Sequence, residues 1–214
     1  PARALHLGFG MLLAFLTFPF LKKDRLKKIG AINFLLAIIG LACTFYIFQN
    51  YEGLVNRNGI LLKHDINLFG KKFSFPTELV IGAVGILLLL EATRRAIGIP
   101  LVIVASIFLI YSFFGQSMPE IISHQGLSLK RLVGYHWFGG EAIFGIPISV
   151  SVSFVFLFVL FGSMLDYAGG GRYFLNLAIA LVGKFRGGPA KASILASGLT
   201  GMISGSSIAN VVTT

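Results

Sequence analysis

The residues best suited to chemistry lie at the end of the chain, where Ser197 is followed by Ser204-Gly205-Ser206-Ser207-Ile208-Ala209-Asn210. Hydroxyl, amide and backbone carbonyl oxygens bind hard cations such as sodium without a fixed charge in an apolar surrounding. Glycine lets the backbone turn its carbonyls toward a cavity. A helix that stops at such a segment ends in carbonyls of partial negative charge. A helix that returns from it, starting near Ser207, begins with N–H groups that suit an anion. The pattern predicts a cation and anion site built on the hydroxyls of Ser197, Ser204, Ser206 and Ser207, the carbonyls turned by the glycines among them, and the Asn210 amide. The competing reading is structural, because small residues at these spacings also let helices pack closely in a membrane.

The other reactive side chains are dispersed. His124 and His136 have no carboxylate-rich cluster near them in the chain, so no metal other than sodium is expected. Cys43 is the single cysteine and lies in an apolar run, which excludes an intrachain disulfide and a thiolate metal cluster. Asp166 precedes Gly169-Gly170-Gly171 and reads as the end of a helix rather than an acid within the membrane. The triple glycine lacks the lysine and Ser/Thr of a phosphate loop. Glu91 can reach Arg94 or Arg95 along one helix face, either as an ordinary charged helix end or as an ion-pair hinge. No histidine and no paired carboxylate lies near the Ser/Gly segment, so neither an enzyme nor an organic cofactor is expected.

Such a site has to be carried to the middle of a membrane. The stretch from Ala190 to Ile203 is about fourteen residues, or roughly 21 Å of helix, against a bilayer core of about 30 Å. A helix entering from one side would stop part-way, and non-helical backbone at that depth is tolerated only inside protein or along a cavity. The composition agrees with a membrane: 56% hydrophobic and 12% charged residues, with a mean hydropathy of +0.86. The net charge of +10 sits in basic clusters beside apolar runs, which favours membrane orientation over nucleic acid. Apolar runs predict five spans, at about 4–21, 29–48, 77–90, 99–114 and 146–165. The run Lys22-Lys23-Asp24-Arg25-Leu26-Lys27-Lys28 marks the first loop as cytoplasmic, and Arg94-Arg95 mark the end of the third span likewise.

Between the spans, residues 49–75 read as a polar external loop, with a turn at Asn56-Arg57-Asn58-Gly59. Residues 123–133 read as an amphipathic interfacial helix with Ser128 as its cap, and Tyr135 and Trp137 as interface anchors. The apolar core from Phe174 to Val182 is too short to span, and Arg172, Lys184, Arg186 and Lys191 flank it. It reads as a helix lying along the cytoplasmic face. The fold class is therefore an all-α polytopic membrane protein, with about five transmembrane helices, an interfacial arm helix and the start of a re-entrant helical hairpin.

Several longer motifs resemble one family. These are Glu91-Ala-Thr-Arg-Arg95, Arg131-Leu-Val-Gly-Tyr135, Glu141-Ala-Ile-Phe-Gly-Ile-Pro147, Phe185-Arg-Gly-Gly-Pro-Ala-Lys191 and Ser204-Gly-Ser-Ser-Ile-Ala-Asn-Val-Val-Thr-Thr214. Together they resemble the fused permease of tripartite ATP-independent periplasmic (TRAP) transporters, nearest to the group served by TAXI-type binding proteins. The resemblance divides the chain into a small-subunit-like scaffold (1–117), an external connector (118–144) and the start of the large transporting subunit (145–214). That last part comprises a span, the arm helix 172–186 and the first hairpin 189–214. It implies sodium-driven import of organic anions, carboxylates, by an elevator-like motion in the bacterial inner membrane, with substrate delivered by a periplasmic TAXI-type solute-binding protein. The family's first hairpin contributes to a sodium site and faces the substrate. By motif position these roles fall on Ser204, Gly205, Ser206, Ser207 and Asn210. Standalone large subunits often carry an acid where this chain has Asn210. The chain lacks an initiator methionine and stops within a patterned segment, so it is expected to be an N-terminal fragment. The second inverted repeat, in the remaining C-terminal half of the permease beyond Thr214, is expected to complete the site. The alternative is a non-transporting scaffold or assembly subunit that uses the Ser/Gly segment for helix packing.

Overall fold

The computed structural model describes residues 1–18, 30–57, 60–62, 64–68 and 71–202. The chain forms two compact units, Pro1–Ile148 and Ser149–Thr214. The basic loop Lys22 to Lys28 lies outside the described residues.

In the first unit, α1 (Ala2–Thr17) and α2 (Ala31–Gln49) are apolar runs free of internal proline. They pack closely because each presents a glycine where the other presents bulk. Gly8 lies against Thr44 and Leu41, and Gly40 against Met11 and Phe15. Thr44 turns its hydroxyl back onto Leu41 O at 2.9 Å, so it is buried without an unmet donor. The short α3 (Tyr51–Asn56) follows, and then strands β1 (His64–Leu68) and β2 (Lys71–Phe75). These pair antiparallel, with His64 opposite Phe75 and Leu68 opposite Lys71. The fold is helical as expected, and this hairpin is the exception among the described residues. Its sequence alternates apolar and polar residues, the pattern of a half-buried strand.

Helix α4 (Thr77–Ala96) is the post of this unit and touches α1, α2, α5 (Ile99–Phe113) and α6 (Leu129–Val133). Ser128 caps α6 as expected, its Oγ accepting from Arg131 N at 3.4 Å. The helix begins only there, and not at residue 123, because Leu127 N and His124 N are drawn back to Ser112 O and Gly115 O. From Val133 the helix continues as a π turn over Gly134–Phe138. Trp137 is not an interface anchor. It is fully buried, with its indole against Gly85 of α4 and edge-on to Phe144 at 5.9 Å. Tyr135 is half exposed, as an anchor would be.

Two acids pin the ends of α4, thirteen residues or about 20 Å of helix apart. Near its start, Glu78 is wholly buried and accepts from Tyr46 Oη at 3.1 Å, Arg57 Nη1 at 3.0 Å and Leu62 N. Past its apolar stretch, Glu91 accepts a two-pronged fork from Arg94, at 2.7 and 2.8 Å, and a bond from Arg95 Nε at 2.7 Å. Arg95 also donates to Asn33 Oδ1 at 2.9 Å and lies 4.9 Å over the Phe15 ring, so it fastens α4 to α1 and α2. Both arginines within reach of Glu91 are thus engaged, and the cluster is a clamp.

The hydrogen bond from Arg94 is the largest cause holding the Glu91 carboxyl below the ordinary carboxylate range. Burial opposes it, and Arg95 adds to it. A lowered folded pKa means that the contribution to stability is complete above the unfolded value, about 4.3, and is lost as pH falls through the folded value. The melting temperature of the wild type should therefore fall more steeply than that of Glu91→Gln as detergent samples are taken from about pH 5 toward pH 3. Parallel curves would remove the clamp from the account.

Among the described residues, two helices are long and apolar enough to cross a bilayer: α2, and the 22-residue run Ile146–Tyr167 made of α7 (Ile146–Val150), a π turn over Ser151–Val155, and α8 (Phe156–Tyr167). α1 and α5 are apolar but shorter, at 16 and 15 residues, and α4 carries its charges at both ends. In the second unit, α9 (Gly170–Val182) and α10 (Gly188–Gly201) follow as a helical pair. The expected arm helix over 172–186 thus begins two residues earlier, after Gly169 in the left-handed region at φ +87°, and stops at Val182.

Candidate functional site

The element that approaches the Ser/Gly segment is α10. Gly187 takes φ +77° just before it, and Pro189 sits in its first turn, where a missing N–H costs nothing. Gly188 is backed against Gly183 O so closely that any side chain there would overlap it. The helix then runs fourteen residues, to Gly201, which is the length that falls short of a bilayer core.

One face of α10 is a ladder of small residues, Ala192, Ala196 and Thr200, all buried. Ala178 of α9 is buried in the same cluster, and Leu175, Val182 and Leu195 pack around it. Small side chains let two helices approach closely without relying on hydrophobic exclusion of water. Thr200 keeps its hydroxyl on its own helix, donating to Ala196 O at 2.8 Å, and Ser193 does the same to Ala190 O at 3.0 Å. Ile194 and Met202 are largely exposed on other faces. α9 therefore braces α10 up to Ala196, and Thr200, one turn on, is buried as well.

Ser204, Gly205, Ser206, Ser207 and Asn210 lie outside the described residues. What the structure describes is the helix that precedes them in the chain, with its ladder of small residues ending at Thr200. The remaining sequence candidates are placed elsewhere. His124 uses both ring nitrogens within its loop, Nδ1 accepting from Gly126 N and Nε2 meeting Tyr111 O, each at 3.0 Å. His136 Nδ1 meets Leu132 O at 3.0 Å. Among the described residues, no group of three His, Cys, Asp or Glu is placed to hold a metal ion. Asp166 is exposed in the last turn of α8, as a helix-end acid should be. Sequence reasoning passed over Glu78. Its only signal is an acid in the first turn of a helix, and the partners that give it weight, Tyr46 and Arg57, come from distant parts of the chain.

Residues 84–214 match the family model described as "Tripartite ATP-independent periplasmic transporter, DctM component". The chain belongs to this family. The DctM match begins in the middle of α4, at the groove that receives Trp137, and runs through the α9–α10 pair to the Ser/Gly segment. By its description the family is one of transporter components and not of enzymes. It is also 30% identical over 139 residues to the "Uncharacterized protein YgiK" of Salmonella typhimurium, an overlap covering 65% of this chain and 27% of that protein. The matched stretch is thus about a quarter of the curated relative's length. No solved structure matches this DctM-family chain.

Proposed function

We propose that this chain is the scaffold and first re-entrant hairpin of a multi-pass, sodium-coupled permease of the bacterial inner membrane. It imports organic anions, carboxylates, handed over by a TAXI-type periplasmic binding protein. The observation that carries the reading is the length of α10: Gly188–Gly201 is fourteen residues long, and it precedes a stretch rich in oxygen ligands and glycine. Ser204, Gly205, Ser206, Ser207 and Asn210 then supply hydroxyl, carbonyl and amide oxygens to sodium. The first N–H groups of the returning helix face the substrate carboxylate. The five apolar helices of the sequence reading act as spans, with α9 on the cytoplasmic face, and a C-terminal second repeat completes the site.

The rival reading, a scaffold that uses the Ser/Gly segment for packing, has less to explain. Ala178, Ala192 and Ala196 already supply the small-residue contact between α9 and α10. Uptake by the complete permease, reconstituted in proteoliposomes with its binding protein, separates the two. Collapse of the sodium gradient should stop uptake, and Ser206→Ala and Asn210→Ala should each lower it by about ten-fold at limiting sodium, one lost ligand being worth roughly 1.4 kcal/mol. Uptake that persists undiminished without sodium overturns the coupling.

A further inference from the structure

Between the end of α5 and the start of α6 the chain folds back into a tied loop. Leu127 N donates to Ser112 O at 2.8 Å and His124 N to Gly115 O at 3.1 Å. The Gln116 amide donates to Gln125 O at 2.8 Å, and the Tyr111 hydroxyl to Ile122 O at 2.7 Å. His124 closes the turn from inside. Its Nδ1 accepts from Gly126 N, so the neutral ring carries its proton on Nε2 and donates it to Tyr111 O. Gly126 sits at φ +65°, where a Cβ would press on Phe113 O at 3.0 Å. Bonds at this many points make a fixed surface.

The loop walls an open depression of about 540 Å³, lined in part by Phe113, Phe114, Gln116, Ser128 and Arg131 and by no acidic residue. Arg131 is exposed there. Ser128 Oγ accepts from Arg131 N, which leaves its own hydroxyl proton to donate, and Gln116 has a second amide proton beyond the one used on Gln125. The polar wall therefore offers donors, while the aromatic wall is apolar. Phe113 and Phe114 are 44% and 51% exposed.

A second observation gives the ligand its tail. α5 ends at this depression, and none of its residues is buried in the fold. Its half-buried face, with Leu109, packs on the core beside α4, and Ile103, Ile107, Phe108 and Ile110 stay exposed on the rest of its surface. So much exposed apolar surface needs an apolar solvent, which in a membrane is acyl chain.

We propose that the depression is a phospholipid site. The lipid phosphate accepts the planar guanidinium of Arg131, with the Ser128 hydroxyl and the Gln116 amide beside it, and the acyl chains pass over Phe113 and Phe114 onto α5. The proposal rests on the membrane reading of the chain but not on transport, so a failure of sodium-coupled uptake leaves it standing.

The test is the phospholipid content of the complete permease after detergent exchange, read by native mass spectrometry and phosphorus analysis. Wild-type protein should keep about one tightly held phospholipid per chain, and Arg131→Gln should hold it about ten-fold less. Ser117→Trp, which fills the depression from a lining position and leaves Arg131 intact, should have the same effect. A short-chain phosphatidate should displace the lipid at concentrations where inorganic phosphate does not. Equal retention by wild type and both variants overturns the proposal. Displacement by inorganic phosphate as readily as by phosphatidate makes this a free-phosphate site and overturns it too. Unchanged lipid in Arg131→Gln with lost binding-protein-dependent uptake makes it a protein-docking surface instead.

Discussion

Replacing Gly85 by leucine is expected to unseat α6 from α4 and lower the stability of the first unit by about 3 kcal/mol, the upper part of the overpacking range. A Cβ at this position falls inside the van der Waals envelope of the Trp137 indole, with Trp137 Cη2 at 2.6 Å. The ring cannot yield sideways. It is fully buried, with Phe144 edge-on against it. Nor can the turn that carries it shift alone, since Val133 and Phe138 from the same segment crowd Gly82, one helical turn earlier. The substitution therefore pushes a whole layer rather than one rotamer. Cys43, a buried free thiol on α2, offers the readout, because it becomes available to a maleimide dye as the unit opens. The midpoint of labelling should fall by roughly 6–12 °C for a loss of that size in a domain of this length. Trp137→Ala alone should cost about 3–5 kcal/mol by leaving a cavity, and the double variant Gly85→Leu, Trp137→Ala less than the sum of the two, because the new side chain enters that cavity. Wild-type labelling in Gly85→Leu, or strict additivity in the pair, would refute the packing described.

The same contact shows what kind of information a single sequence withholds. The apolar runs were legible as helices because a membrane-sized hydrophobic stretch has few other ways to satisfy its backbone. The Ser128 cap, the reach of Glu91 to its arginines and the short length of α10 were legible because each depends on neighbours a few residues away. Trp137 was misread because its local pattern, an aromatic next to a basic amphipathic stretch, is also that of an interface anchor. What buries it is the pair of glycines on α4, some fifty residues earlier, and only the fold brings them together. The helix expected from residue 123 failed for a related reason. Backbone bonds to Ser112 and Gly115 outweigh the apolar periodicity of its first half. The oxygen-rich segment Ser204 to Asn210 stands out from residue type and spacing alone and lies outside the described residues. The residues that brace its approach, Ala178 against Ala192 and Ala196, look in sequence like ordinary apolar filler.

Glu78→Ala is expected to be the costliest single change at the other end of α4. The carboxylate is wholly buried and takes a cation, a phenol and a backbone N–H at once. Its removal leaves Arg57 and Leu62 N without the acceptor around which they are arranged. Breaking a buried pair by deleting one member costs about 3–5 kcal/mol, most of it the penalty of the stranded partner. Arg57 is about a quarter exposed and keeps its bond to Gly53 O, so part of its charge can be rehydrated, which places the expectation at about 3 kcal/mol. Glu78→Gln retains the shape but loses the charge and turns an amide donor toward groups that are themselves donors, so it should fall between Ala and wild type. The double change Glu78→Leu, Arg57→Met should cost less than Glu78→Ala, because no charge is then left in the interior. Trypsin cleavage after Arg57 gives a local measure that global melting does not. In the native protein the guanidinium is held by Glu78 and Gly53, and the peptide must open before the protease can take it. In Glu78→Ala the cut should come about ten-fold faster or more, while labelling of Cys43 on α2 lags behind it. Identical cleavage in the two proteins would mean that the acid is not what fastens α3 and Leu62 to α4.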